Sequence, residues 1–197
     1  HKNIKGLKKE LVLKKIKTIL EDPSIKKVGQ NIKFDLIILK QNGIEINSIE
    51  DTMLISYVLD AGSNRHNLDT LSEIHLNHKT ISYKELVGTG KNKLNFSDIE
   101  LNKATEYAAE DADVTLRLYN YLKARLHEEK LNKVYEVFEK PMVKLLSKLE
   151  FNGIKIDDIY LKKLSKNFEE KLKKIEKEIY LIANKQFNIG SPKQLGE

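Results

Sequence analysis

Cysteine is absent from the 197 residues, so neither disulfides nor thiolate metal sites are available, and a reducing compartment fits the composition. Arginine is scarce: Arg65, Arg117 and Arg125 are the whole set, and lysine supplies the rest of the positive charge. No apolar run approaches the ~20 residues that a bilayer-spanning helix needs. Nor does an apolar stretch of signal-peptide type follow His1-Lys2-Asn3-Ile4-Lys5. What is present is globular in kind, with 40% hydrophobic and 32% charged residues, which argues against disorder. The length suits one good-sized domain, or one domain and part of a second.

The net charge of +6 is unevenly placed. Residues 1–30 carry +6, residues 31–130 carry −4, and residues 131–197 carry +4. Basic flanks around an acidic middle suit a protein that holds a polyanion beside a cation. Lysine serving as ordinary surface solvation gives the same pattern, so charge alone leaves both readings open.

Hydrophobic spacing predicts a helix from Leu7 to Leu20, broken by Asp22-Pro23-Ser24, and then a short strand over Ile25–Gly29. Asn31 is placed to cap a second helix that runs through Phe34, Leu36, Ile37 and Leu39 and stops at Asn42-Gly43. Ile44-Glu45-Ile46 reads as another strand, followed by helices near Thr52–Leu59 and Leu68–Leu76. Alternating helix and strand argue for an α/β layer. Residues 81–96, with Gly88-Thr89-Gly90-Lys91, read as a surface loop and not a phosphate-binding loop, since no strand and no Gly-Lys-Ser/Thr pattern frame it. Ser97-Asp98-Ile99-Glu100 has the form of a capping box opening a helix to about Arg125. Within it Ala104, Ala108, Ala109 and Ala112 would let the helix lie close to a sheet. A helix near Asn132–Phe151 follows, then a long one capped by Asp157 with a near-heptad apolar stripe from Leu161 to Ile182. Both ends look cut. Ser191-Pro192 starts a helix about one turn before Glu197, no Met opens the chain, and an isolated parallel strand implies partner strands upstream of His1.

Three residues form the candidate chemistry. Asp35 falls on the first turns of a helix after a strand, where an ionised carboxylate is favoured. Tyr107 and Asp111 are four apart on one helix, with Cβ atoms about 5–6 Å apart. A carboxylate can hold a hard divalent cation, and a phenol one turn away can hydrogen-bond a water bound to it. Asp51 and Asp113 are further acids close by in sequence. Spacing alone also fits a helix cap at Asp35 and an incidental Tyr–Asp pair.

The strings are more specific. Gly29-Gln-Asn-Ile-Lys-Phe-Asp35, Asp51-Thr-Met-Leu54, Arg65-His66 and Tyr107-Ala-Ala-Glu-Asp-Ala-Asp-Val-Thr115 resemble, in order and interval, the 3′–5′ proofreading exonuclease domain of bacterial family A DNA polymerases. Glu139-Lys-Pro-Met-Val143, Asn152-Gly-Ile-Lys-Ile-Asp157 and Phe187–Gly196 resemble the segment joining that domain to the polymerase thumb, so the likeness covers essentially the whole chain. It implies an α/β, ribonuclease H-like exonuclease fold, a mixed sheet flanked by helices, here N-terminally truncated and followed by long helices of the polymerase domain. Residues 1–128 would be the C-terminal two-thirds of the exonuclease domain, and 129–197 the linker and first thumb helices.

The resemblance further implies removal of nucleotides from the 3′ end of single-stranded DNA by two divalent ions, Mg²⁺ or Mn²⁺ with Zn²⁺ possible. Asp35, Tyr107 and Asp111 match catalytic positions, Asp35 and Asp111 as metal ligands. Gln30, Asn31, Phe34, Arg65 and Tyr83 match positions that line the strand-end pocket. The expected partners are single-stranded DNA and the remainder of the polymerase chain, with no membrane, in a cytoplasmic monomer. The family's first motif, an Asp-x-Glu on the leading strand, has no counterpart here, which predicts inactivity of these residues alone. Two alternatives stand beside this reading: a non-catalytic scaffold that binds single strands, and a ribonuclease D-like enzyme that trims RNA.

Overall fold

The order of elements follows from where the apolar spacing changes. A computed structural model describes residues 6–90 and 93–196 and divides into two compact units, His1–Gly153 and Ile154–Glu197. In the first unit, α1 (Lys9–Glu21) stops where Asp22 Oδ1 accepts both the backbone N–H and the hydroxyl of Ser24, at 2.8 and 2.7 Å. β1 (Lys27–Gly29) leads into α2 (Ile32–Gln41), which ends at Asn42 and a left-handed Gly43 with φ of 74°. β2 (Ile49–Asp51), α3 (Thr52–Asp60) and α4 (Leu68–Leu76) follow.

Then come α5 (Tyr83–Val87) and the long α6 (Leu101–Glu128). After α6 a short α7 (Asn132–Val134) passes through a π turn (Tyr135–Glu139) into α8 (Lys140–Asn152). The second unit contains α9 (Asp158–Ala183), capped by Asp157, and α10 (Pro192–Leu195), capped by Ser191. The α9 stripe, Leu161, Phe168, Leu172 and Ile175 among it, is exposed.

β1 and β2 pair in parallel, with Lys27 opposite Ile49, Val28 opposite Glu50 and Gly29 opposite Asp51. Among the described residues the sheet consists of this pair. The main core joins α3, α4 and α6 through Ile55, Leu71, Leu118, Leu122 and Leu126, with the ring of Tyr135 fully buried among them. A second cluster sets Val143 of α8 against Ile32, Leu36, Ile46 and Ile49. The break in packing falls at Gly153, so α7 and α8 belong to the same compact unit as the elements before residue 128.

Four local expectations change. Ile44 and Ile46, expected in a strand, are buried, but the strand lies at 49–51 instead. The backbone around 44–47 bonds to helix ends, Ile44 N to Leu39 O and Asn47 N to Leu20 O, and so is not available to a ladder. The 81–96 stretch contains α5, whose Ser82–Glu85 pair is a true capping box. Its Lys91 and Asn92 lie outside the described residues. At 97–100 no such box forms: Phe96–Asp98 is a 3₁₀ turn and α6 begins at Leu101, because Ile99 is drawn into a cluster with Val87 and Ala104. Consequently Ala104 packs there and not on the sheet, while Ala108 and Ala109 are exposed.

Candidate active site

The carboxyl end of β1, the starts of α2 and α4, and the middle of α6 surround a cleft of about 650 Å³. Gly29, Gln30, Asp35, Asp69, Tyr107 and Asp111 line it. The three candidate chemical residues, taken from strings more than 70 positions apart, therefore share one cavity.

Its geometry starts at Gly29, where a Cβ would stand 2.9 Å from Ile32 Cγ1, so the tight passage from β1 into α2 needs glycine. Asn31 then occupies the capping position in a left-handed conformation, φ 58°, but its side chain makes no cap bond, contrary to expectation. Asp51 does that work from the neighbouring strand. Its Oδ1 accepts Asn31 N at 3.1 Å, and its Oδ2 accepts Ile32 N at 3.0 Å. The same Oδ1 caps α3 through Met53 N at 2.9 Å and Leu54 N at 3.4 Å. A single buried carboxylate thus starts two helices. The Asp51 N–H in turn donates to the Tyr135 hydroxyl at 3.0 Å. Asp51 is a scaffold residue, and it holds the turn that carries Asp35.

In the cleft the electrostatics run one way. Burial lifts the Asp35 carboxyl above its ordinary range, with the charge of Asp51 adding to the effect. Asp35 keeps substantial solvent exposure, so water tempers that lift. Burial also raises Asp111; its hydrogen bond with Tyr107 pulls down, and the charges of Asp69 and Glu110 push up again. The Tyr107 hydroxyl is pushed up to about 12 by burial and by the neighbouring Asp111. Crowded carboxylates of this kind are what a hard divalent cation relieves, and oxygen donors match its chemistry. Among the described residues, however, no group of three or more His, Asp or Glu is gathered closely enough to hold a metal ion. The donors fit in kind and fall short in number.

The proposed strand-contact residues divide. Gln30 lines the cleft, but its amide is engaged at both ends, donating to His66 O at 2.7 Å and accepting from Thr52 Oγ1. Through His66 it fixes the turn that bears the exposed Arg65. Asn31 and Arg65 are outside the cleft lining, and Phe34 is 63% exposed on α2. Tyr83 stands beside the cleft: its ring is 6.2 Å from that of Tyr107 and stacks at 6.5 Å on Phe96. Asp113 is apart from the cleft, paired with Arg117 at 3.3 Å. The string Asp98-Ile99-Glu100 spells Asp-x-Glu, yet it lies in the 3₁₀ turn and at the α6 cap, outside the cleft lining.

Two residues of the neighbourhood were not found from sequence. Asp69 is in the first turn of α4, a position that an acidic residue after the Asn67 cap could have signalled. Phe96 gave no signal, because its partner rings lie 13 and 11 positions away.

Comparison with known proteins places this arrangement in a class. Residues 3–127 match the family model of the 3′–5′ exonuclease. The chain belongs to the 3′–5′ exonuclease family, and its fold is the ribonuclease H-like exonuclease fold followed by helices. The relatives it matches include DNA polymerases I. That of Rhizobium leguminosarum is 49% identical over 185 residues, covering 94% of this chain and 18% of the relative. That of Pseudomonas aeruginosa is 41% identical over 194 residues, covering 96% and 21%. The chain thus spans about a fifth of the length of these relatives. Among solved structures, the polymerase domain of Pol1 from M. smegmatis with DNA primer-template and dNTP superposes with a TM-score of 0.73. The identity is 22%, over 96% of this chain and 30% of that one. Brucella melitensis NrnC bound to pGG gives 0.58 at 23% identity, over 78% and 68%. At such identities these two speak for the fold alone. Among the described residues no helix is long and apolar enough to cross a membrane.

Proposed function

We propose that the chain is part of a DNA polymerase I and that its cleft receives the 3′ end of single-stranded DNA for hydrolysis of the terminal phosphodiester. The observation that carries this is the convergence of Asp35, Tyr107 and Asp111 on one cavity. Asp35 and Asp111 would hold divalent ions, Mg²⁺ or Mn²⁺ with Zn²⁺ as a further candidate. Such ions supply charge stabilisation to the attacking and leaving oxygens of an in-line displacement. Tyr107, kept neutral by a hydroxyl pKa of about 12, offers its O–H to orient the attacking water. Tyr83, with Phe96 behind it, provides a face for the terminal base, and Phe34 a second exposed ring. Gln30, Asn31 and Arg65 supply amides and a guanidinium suited to phosphate and base edges. In this reading residues 1–128 are the exonuclease portion and 129–197 the linker and first thumb helices, of a monomeric cytoplasmic enzyme.

Two carboxylates are fewer than the reaction requires, so residues 1–197 alone should show no useful nuclease activity. The test compares this chain with one extended upstream by a strand bearing Asp-x-Glu, measuring Mg²⁺- or Mn²⁺-dependent release of nucleoside monophosphates from single-stranded DNA. The extended chain should digest DNA and lose activity in Asp111→Ala. Robust digestion by residues 1–197 that depends on Asp111 would refute the ligand count. Failure of the extended chain would favour a scaffold that binds strands without cutting them.

A further inference from the structure

Glu110 precedes Asp111 on α6, yet it does not line the cleft. Both of its carboxylate oxygens are committed to one stretch of irregular chain. Oε1 is 2.8 Å from His78 Nε2, and Oε2 accepts the Ile81 N–H at 2.7 Å. Three further bonds hold the same stretch from α4: the buried Thr80 donates to Asp69 Oδ1 at 2.7 Å, Ser72 Oγ donates to the His78 carbonyl at 2.8 Å, and His78 N donates to the Ser72 carbonyl at 3.3 Å. Residues 78–81 are thus a strap tied by five hydrogen bonds between α4 and α6. It runs directly into Ser82, the cap of α5, and Tyr83 is the first residue of that helix. A five-residue helix does not fix its own orientation, because so few hydrogen bonds cannot offset the cost of nucleation. Its far end is anchored by Val87, buried with Ile99 and Ala104, and its near end, which carries Tyr83, takes its seat against Tyr107 from the strap.

We propose that Glu110 is a positioning residue: by tying the 78–81 strap to α6 one residue before Asp111, it sets Tyr83 against Tyr107 and so fixes the aromatic wall on which a terminal base stacks. The base-stacking consequence rests on the strand-end reading above; the ring placement does not. The strap acts on alignment and touches neither metal nor reacting atoms.

The experiment uses the whole chain. Ring-to-ring nuclear Overhauser effects between Tyr83 and Tyr107, and amide exchange at Ile81, are measured in wild type, Glu110→Ala and Glu110→Gln. In parallel, quenching of 2-aminopurine at the 3′ end of a single-stranded oligonucleotide reports stacking, with Tyr83→Ala as reference. In Glu110→Ala the ring-to-ring effect should disappear, Ile81 should exchange about tenfold faster, and quenching should fall to the Tyr83→Ala level. Glu110→Gln should restore all three, since its amide oxygen accepts from Ile81 and its NH₂ can donate to His78 Nε2 in the tautomer whose proton is on Nδ1. If Glu110→Ala fails to fold, His78→Ala, which keeps the Ile81 tie, should show the same changes at smaller amplitude. A ring-to-ring effect that persists in a folded Glu110→Ala overturns the proposal. Rings that part while quenching stays unchanged overturn its stacking consequence. Absence of quenching in wild type, together with parted rings in Glu110→Ala, would sink the strand-end reading and leave the positioning role standing.

Discussion

Replacing Asp51 with Asn tests whether this acid, close in sequence to the candidate ligands, is architecture and not chemistry. The residue is 2% exposed, and its carboxylate accepts four backbone N–H groups. If the amide oxygen takes the place of Oδ1, three of the bonds survive in neutral form. The new NH₂ then faces the Ile32 N–H, donor against donor. Leaving that buried N–H unpaired costs about 1–3 kcal/mol, and weakening three charge-assisted bonds adds about 1.5 kcal/mol. Relief runs the other way and offsets part of this: burial holds the carboxyl of Asp51 above its usual range, so removing the charge lifts that penalty. The losses win, for a net of about 2–3 kcal/mol, or a fall in Tm of roughly 5–10 °C for a chain of this size. Urea unfolding followed by circular dichroism reads the first figure and a thermal scan the second. Divalent-ion stabilisation should persist, since Asp51 does not line the cleft. A change below about 0.5 kcal/mol, within the range of an ordinary surface substitution, or loss of the ion response without loss of stability, would refute the reasoning.

Three further outcomes follow from the same geometry. Because Asp35 and Asp111 are raised in the fold, the stability they lend is complete below the unfolded carboxyl pKa and is lost as pH rises through their folded values. At pH 7, Mn²⁺ at ten times its Kd should therefore raise stability by about 1.4 kcal/mol, and much less at pH 4. Asp111→Asn should stabilise the metal-free protein and abolish the Mn²⁺ response; an unchanged response would disprove the assignment. Alkaline titration at 295 nm should find, among the 8 tyrosines, Tyr107 late near pH 12, Tyr135 held higher by burial and Tyr180 raised by its hydrogen bond with Glu176, with the step near pH 12 missing in Tyr107→Phe. Since all three are raised, stability should fall as pH climbs from the unfolded value near 10 through the folded ones. Lys140→Met removes the 2.9 Å partner of buried Glu50, leaving Lys123 at 3.7 Å, and should cost about 2–4 kcal/mol. Adding Glu50→Met should recover most of that in denaturant melts; a double variant weaker than the single would contradict it.

What could be read from the residues is what local rules control. The α4 bounds, the Asp22–Ser24 stop, the Gly43 exit and the Asp157 and Ser191 caps all depend on contacts within a few positions. The convergence of Asp35 with Tyr107 and Asp111 came from matching motifs, since spacing within one helix relates only the last two. The failures are tertiary. Asn31 has the right identity for a cap, but Asp51 reaches in from 20 positions away and displaces it. Ser97–Glu100 satisfies the capping pattern, yet burying Ile99 beside Val87 and Ala104 outweighs one turn of helix. Asp69 and Phe96 join the cleft neighbourhood through packing that no short window contains.

Tyr135 has a practical bearing. It lies beyond residue 127, where the family match ends, and its ring fills the centre of the main core while its hydroxyl receives the Asp51 amide. A protein cut at Glu128 would lose that plug, expose Leu118, Leu122 and Leu126 to water, and leave the helix-starting carboxylate without its support. The stretch that the family model delimits is thus shorter than the compact unit, and expression trials aimed at it should carry the chain at least to Gly153.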